Sequence, residues 1–253
     1  ALAASGHTEV LTYPFVSGAQ NALFADVPAV KLANALQEEF NELRVSLLPG
    51  LIDAARRNFS RGLTDLAIFE EGSIFLPPKT ITKTDDLPVG NALPSEMQLA
   101  TLEATIPAQP KHIAALFTGN RLPQQAGSPA AAIDYRDAIQ AAVIIGQAAG
   151  VQIEVAQAAP KGFHPGRSAE VFASTPGGRV SLGFAGELNP QLAKDSDLPR
   201  RVAALELNLQ ALFAAAPSVV QASDIGTYPA ATQDLSLVVS RELPAADLLQ
   251  VIR

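Results

Sequence analysis

The segment from Asn41 to Leu76 constrains the fold of this chain most, since a short strand, a helix and a long apolar strand follow one another without a gap. Apolar residues recur at the helical period between Ser46 and Gly62, which predicts a helix with one buried face. Ser46 is predicted to cap the first turn, where Pro49 is tolerated, and Gly62 to take the left-handed conformation after the last turn. The predicted buried positions are Leu48, Leu51, Ile52, Ala55 and Phe59.

The following segment, Leu66 to Leu76, is apolar at both ends and carries Glu70 and Glu71 at its centre. Such a pattern is typical of a strand in the interior of a sheet. Adjacent strand residues point to opposite faces, so the two carboxylates cannot converge on one substrate atom. A buried charge must be paired, and Glu70 is therefore predicted to be a structural carboxylate held by an arginine or by backbone donors. An acid–base site around Glu70 is the alternative.

The remaining patterns predict an α+β architecture, in which a mostly antiparallel sheet carries helices on its faces. Residues 1–215 are predicted to form one domain, 216–227 a linker, and 228–253 the beginning of a second unit. Asp134 is predicted to cap a helix that runs to Ala149. The predicted strands are Thr8–Val16, Gln98–Ile106, His112–Thr118, Val151–Gln157, Ala169–Ser174, Arg179–Gly186, Val202–Asn208 and Gln233–Val239, with a loop at Pro77–Pro94 and a last helix at Ala245–Ile252.

Charge and composition restrict the function. The formal net charge is −7, from 25 acidic and 18 basic residues, and no basic run exceeds two residues. This balance disfavours a dedicated nucleic-acid-binding module and gives no reason to expect a DNA partner. The chain has no cysteine and its three histidines are far apart, so neither a disulfide nor a metal site is expected. The absence of cysteine fits a cytoplasmic protein, which is the expected location. No stretch is long and apolar enough to predict a membrane span.

Four separated blocks of the sequence together resemble the β subunit of bacterial phenylalanyl-tRNA synthetase. They are Asn41–Phe75, His164–Ala169, Gly186–Pro190 and Tyr228–Val239. The resemblance implies an inactive domain with the fold of class II aminoacyl-tRNA synthetases, followed by a truncated ferredoxin-like unit that begins the anticodon-binding domain. The family usually has an arginine where this chain has Gln233, which weakens any RNA contact assigned to that position.

The same resemblance implies a role in a larger enzyme. Catalytic class II members carry an ATP-binding arginine just beyond the long strand, whereas this strand runs into Leu76-Pro-Pro78, and no counterpart of their second ATP-binding arginine is found. The segment is therefore expected to have no catalytic residue and no cofactor of its own. It is expected to assemble with the catalytic α subunit in an α2β2 enzyme that attaches phenylalanine to tRNA with ATP and magnesium. An independent enzyme and a stand-alone RNA-binding module are the alternatives.

Two groups of polar residues are predicted to make contacts. If the apolar stripe of the first helix faces its own sheet, Asp53, Arg56, Arg57 and Asn58 are left for a contact with the α subunit. His164 and Arg167 lie in a Pro-Gly segment that predicts a tight turn between two strands. That turn is predicted either to contact the α subunit or RNA, or to be solvated with Arg167 paired locally.

Overall fold

The computed structural model describes residues 1–78, 87–219, 222 and 226–252. The chain divides into two units, Ala1–Ser218 and Val219–Arg253. In chain order the strands are β1 (Thr8–Glu9), β2 (Phe15–Val16), β3 (Glu42–Leu43), β4 (Leu66–Ser73), β5 (Lys111–Thr118), β6 (Asn120–Leu122), β7 (Ala131–Ala132), β8 (Ile153–Gln157), β9 (Phe163–Thr175), β10 (Gly178–Leu188) and β11 (Val202–Asn208). The α-helices are α1 (Gly18–Asn21), α2 (Leu48–Phe59), α3 (Glu96–Glu103), α4 (Tyr135–Ala148), α5 (Pro190–Asp195), α6 (Leu209–Ala215) and α7 (Ala245–Ile252).

A seven-stranded sheet organises the first unit. Its order is β1-β4-β5-β11-β10-β9-β8, while β2 pairs with β3 and β6 with β7 in two small sheets. Only β1 runs parallel to its neighbour among the described strand pairs of the large sheet, and the other five pairs are antiparallel. The predicted α+β architecture with a mostly antiparallel sheet is therefore confirmed.

Successive residues of each central strand point to opposite faces of the sheet, and helices cover both faces. Helices α4 and α6 pack on the face that includes Phe69, Phe117 and Leu205. Helix α2 packs on the other face, which includes Ile68 and Leu116. This alternation explains why the central strands are apolar on both sides, since each side is buried under a helix.

The face beneath α2 also carries two carboxylates in one row. Glu70 of β4 and Glu206 of β11 are both in register with Ala114 of β5, the strand that lies between them. Ala114 belongs to the core under α2. The two carboxylates therefore point toward the layer that contains α2.

Several local predictions agree with the structure. The Asp134 side chain accepts the Arg136 N–H at the start of α4, and Asp137 completes a capping box. Gly62 has a φ of 85°, as predicted for a residue after a helix end. Pro49 lies in the first turn of α2, but Phe59 is only half-buried rather than part of the core.

Other local predictions were wrong. Gln98–Ile106 is largely helix α3 rather than a strand, because Ser95 and Gln98 form a capping box at its start. Thr8–Val16 is divided between β1 and β2. His164–Ala169 is not a turn between strands but lies within β9. Residues 79–86 of the predicted Pro77–Pro94 loop lie outside the described residues.

The second unit contains α7, which agrees with the predicted final helix. Described residues 226–240 contain neither a strand nor a helix, so the strand predicted at Gln233–Val239 is absent. A strand is stable only when its backbone groups find hydrogen-bonding partners on a neighbouring strand. The ferredoxin-like unit expected from the sequence is not confirmed.

Candidate functional site

Glu70 lies at the centre of a buried polar cluster beneath α2. Only 1% of the Glu70 surface is exposed to solvent. One carboxylate oxygen accepts a hydrogen bond from Arg44 Nη1 at 2.7 Å, and the other accepts one from the Thr12 hydroxyl at 2.6 Å. Both oxygens are occupied and shielded from solvent. Burial and the pairing with Arg44 favour the structural role predicted for Glu70 over the acid–base alternative.

Arg44 connects this cluster to the sheet and to the N-terminal segment. Its Nε donates to the Ser73 carbonyl at 2.9 Å, and its Nη1 also donates to Thr12 Oγ1 at 3.1 Å. The guanidinium occupies the space above Gly72, where a Cβ atom would lie 2.4 Å from Arg44 Nη2. A glycine at this position therefore leaves room for the arginine side chain. Glu71, on the opposite face, is exposed.

Glu206 forms a second polar cluster at the start of α2, which sequence reasoning missed. Ser46 donates its hydroxyl to Glu206 Oε2 at 2.5 Å, and the Leu47 N–H donates to the same oxygen at 3.2 Å. His112 Nδ1 lies 2.8 Å from Glu206 Oε1. A carboxylate at this position is favourable because helix N-termini carry unpaired N–H groups and a partial positive charge.

The role predicted for Ser46 is met only in part. Leu47 is the residue that precedes α2, and its side chain makes no capping bond. The Ser46 hydroxyl nevertheless accepts the Leu48 N–H at 3.1 Å. Ser46 therefore satisfies one helix donor while its own proton is held by a carboxylate from β11.

An apolar groove lies beside α2 on the molecular surface. Its cavity volume is about 750 Å³, and it is lined by the segment between β1 and β2, by residues from 32 to 40 and by one edge of α2. Leu11 is 91% exposed, Tyr13 83% and Leu36 104%, and all three line the groove. Clustered large apolar side chains in contact with water are typical of a surface that another molecule covers.

Two of the four interface candidates on α2 line this groove, namely Asp53 and Arg57. Asp53 accepts a hydrogen bond from Gln20 Nε2 at 2.7 Å, which joins α1 to α2 at the groove wall. Arg56 is exposed outside the groove lining and pairs with Asp53 at 3.2 Å. Asn58 lines a different cavity of about 650 Å³ and donates to the Ala54 carbonyl at 2.8 Å. The structure thus brings only Asp53 and Arg57 to the apolar groove.

His164 and Arg167 occupy the beginning of β9, and each is half-buried. Arg167 Nε donates to Glu187 Oε2 at 2.7 Å across the β9–β10 pair, while His164 Nδ1 accepts the Gly166 N–H at 3.0 Å. Arg167 is thus paired locally. A contact of either residue with a partner or with RNA stays a prediction.

The described residues contain no group of three or more His, Cys, Asp and Glu side chains arranged to hold a metal ion. Nor do residues 1–78, 87–219, 222 and 226–252 include a helix with the length and apolar character that a bilayer crossing requires.

Comparison with known proteins identifies the family. The model of the phenylalanyl-tRNA synthetase β chain CLM domain matches residues 1–209. The chain belongs to this family. The match spans the large sheet of the CLM domain together with both polar clusters and the groove.

Curated relatives carry the same family name. The chain is 48% identical over 257 residues to the phenylalanine–tRNA ligase β subunit of Leifsonia xyli subsp. xyli, covering 100% of this chain and 30% of that relative. It is 41% identical over 261 residues to the β subunit of Streptomyces avermitilis, covering 100% of this chain and 31% of that protein. The chain therefore spans about 30% of the length of these relatives.

A solved structure supports the fold of the CLM domain. A pyrrolysyl-tRNA synthetase from Desulfitobacterium hafniense superposes with a TM-score of 0.52 at 15% identity, covering 83% of this chain and 61% of that chain. At this identity the likeness concerns the fold alone. It supports the synthetase-like sheet with flanking helices that the sequence resemblance implied.

Proposed function

We propose that this chain is a non-catalytic segment of a phenylalanine–tRNA ligase β subunit, and that it supports assembly with the catalytic α subunit through the groove beside α2. The observation that carries the proposal is the exposure of Leu11, Tyr13 and Leu36 around one cavity. The family membership of residues 1–209 supports the choice of partner.

The groove has the composition of a specific interface. Its lining is mostly apolar and includes Asp53 and Arg57 on the α2 side, so charged side chains border a hydrophobic surface there. Burial of the exposed apolar side chains would supply the free energy, at about 25 cal/mol per Å² of apolar surface. The charged rim would fix the orientation of the α subunit more than its affinity.

The hydrogen bonds made by the two carboxylates beneath α2 support a role without chemistry. Glu70 is bonded to Arg44 and Thr12, while Glu206 is bonded to Ser46, the Leu47 N–H and His112. These contacts fix the start of α2 and the N-terminal segment in place. The net charge of −7 also disfavours the RNA-binding alternative.

The complete enzyme would be an α2β2 assembly that joins phenylalanine to its tRNA with ATP and magnesium in the cytoplasm. The resemblance of the sequence and the names of the curated relatives support this assignment. ATP, magnesium and most tRNA contacts are assigned to parts of the enzyme other than this segment.

Two charge reversals, one in α2 and one just after its end, test the interface. In the full-length β subunit, Arg57→Glu should weaken assembly with the α subunit by about tenfold or more, because it places a second acid beside Asp53 on the groove rim. Arg61→Glu is the control, since it makes the same charge change at an exposed residue outside the groove lining, whereas Arg56 is unsuitable because it pairs with Asp53. Affinity is measured by titrating α with β, and folding by circular dichroism.

The affinities of the two variants show whether the α subunit binds in the groove. Selective weakening by Arg57→Glu supports the groove as the interface. Equal affinity of both variants and the wild type would refute the placement of the α subunit in the groove.

A further inference from the structure

Thr12 lies at the centre of the exposed segment that forms one wall of the groove. Its neighbours Leu11 and Tyr13 are 91% and 83% exposed. The Thr12 hydroxyl instead points into the molecule, where it donates to Glu70 Oε2 at 2.6 Å and accepts from Arg44 Nη1 at 3.1 Å. Alternate residues of an extended segment point in opposite directions, so anchoring Thr12 directs both neighbours outward.

The backbone gives this segment little support of its own. The Val10 N–H donates to the Phe69 carbonyl at 2.8 Å, and the Arg44 N–H donates to the Pro14 carbonyl at 2.9 Å. Among the described residues, the backbone of 11–13 between these two bonds makes no backbone–backbone hydrogen bond. The side chain of Thr12 is therefore the polar attachment at the middle of the segment.

Helix α2 is shaped to receive this side chain. A Cβ atom at Gly50 would lie 2.2 Å from Thr12 Oγ1, so only glycine allows the hydroxyl to approach the first turn. Glycine in a helix is intrinsically unfavourable by roughly 1 kcal/mol relative to alanine. The close approach of the Thr12 hydroxyl explains why glycine nevertheless occupies position 50. The hydroxyl thus fits between the helix, the Glu70 carboxylate and the Arg44 guanidinium.

We propose that the Thr12–Glu70–Arg44 cluster is a positioning device for the docking surface: it holds Leu11 and Tyr13 in the outward conformation that an apolar surface of the α subunit contacts. The inference rests on the proposed function and adds the residues that prepare the interface. An interface segment held in its bound conformation loses less conformational entropy on association, which raises affinity without a new contact. In this proposal Thr12 contributes by orienting Leu11 and Tyr13, not by contacting the α subunit itself.

Substitution of Thr12 tests the device in the full-length β subunit. Thr12→Val removes the hydroxyl at nearly constant volume, and Thr12→Ser retains it. Thr12→Val should weaken assembly with the α subunit about tenfold or more, because the hydroxyl loses its hydrogen bonds to both Glu70 and Arg44. Thr12→Ser should bind like the wild type.

Hydrogen exchange gives a second readout in the free β subunit. The Val10 and Arg44 amides make the hydrogen bonds at the two ends of the segment. Their protection should fall about tenfold in Thr12→Val, because local opening needs less free energy once the anchor is removed, and should persist in Thr12→Ser. Thr12→Ala provides the same comparison if the valine variant does not fold.

The outcomes separate the inference from the proposed function. If Tyr13→Ala weakens assembly but Thr12→Val changes neither affinity nor exchange, the positioning device is refuted and the docking surface remains. An equal loss of affinity in the valine and serine variants would also refute the positioning role of Thr12. Unfolding of both the valine and alanine variants would refute it as well. If the wild-type β subunit fails to assemble with α at all, the proposed function itself fails.

Discussion

The ion pair between Arg44 and Glu70 offers a quantitative test of the buried cluster. The two side chains are 7% and 1% exposed and lie 2.7 Å apart. Removing one partner leaves the other charge in the interior without compensation, which costs about 3–5 kcal/mol of unfolding free energy. Glu70→Leu and Arg44→Met should each destabilise the protein by this amount.

The double variant should be less destabilised than either single variant. Replacing a buried ion pair by apolar side chains of similar size is commonly neutral or stabilising. In this structure the replacement also leaves the Thr12 hydroxyl and the Ser73 carbonyl without their Arg44 donor. That loss costs about 1–3 kcal/mol, so the double variant should lie near this value.

Urea unfolding followed by circular dichroism measures all four proteins of this cycle. The destabilisation of the double variant should fall short of the sum of the two single variants by about 3 kcal/mol or more, at or above the upper end of couplings between contacting residues. Slopes of the unfolding transition should stay equal, since the surface exposed on unfolding is unchanged. Additivity within roughly 0.5 kcal/mol would refute the ion pair as the organising contact of the cluster.

Two further predictions concern the sheet and its largest helix. Asp134→Ala should lower stability by about 1 kcal/mol through loss of the α4 cap. The hydrogen bond from Arg136 holds the pKa of the Asp134 carboxyl below its ordinary value, so its stabilisation is present at neutral pH and is lost as pH falls through that lowered pKa. Asp134→Asn should keep the cap but remove the loss of stability at low pH that comes from the Asp134 carboxyl. Urea unfolding at several pH values measures this loss, and an unchanged pH dependence would exclude Asp134 as its source. Gly183→Ala should destabilise by about 1–3 kcal/mol, because φ is 149° and a Cβ atom would lie 2.0 Å from the Glu206 carbonyl oxygen. An unchanged thermal midpoint would contradict this packing.

The sequence determined those features that depend on local pattern. Helix α4 follows from the Asp134 cap and an apolar period, and the buried strand β4 follows from an apolar run with Glu70 at its centre. The need for a partner to Glu70 follows from the cost of burying a charge. These properties require only near neighbours along the chain, so pattern and propensity predict them.

The tertiary structure decided which distant groups meet. Glu206 reaches the start of α2 from 160 residues away, and Thr12 meets Glu70 across 58 residues. Arg57 lines the groove whereas Arg56 does not, although both looked equivalent on the helix surface. Strand pairing and helix placement set these contacts through the whole fold, because the position of a side chain across a sheet depends on register between strands that the linear sequence does not display.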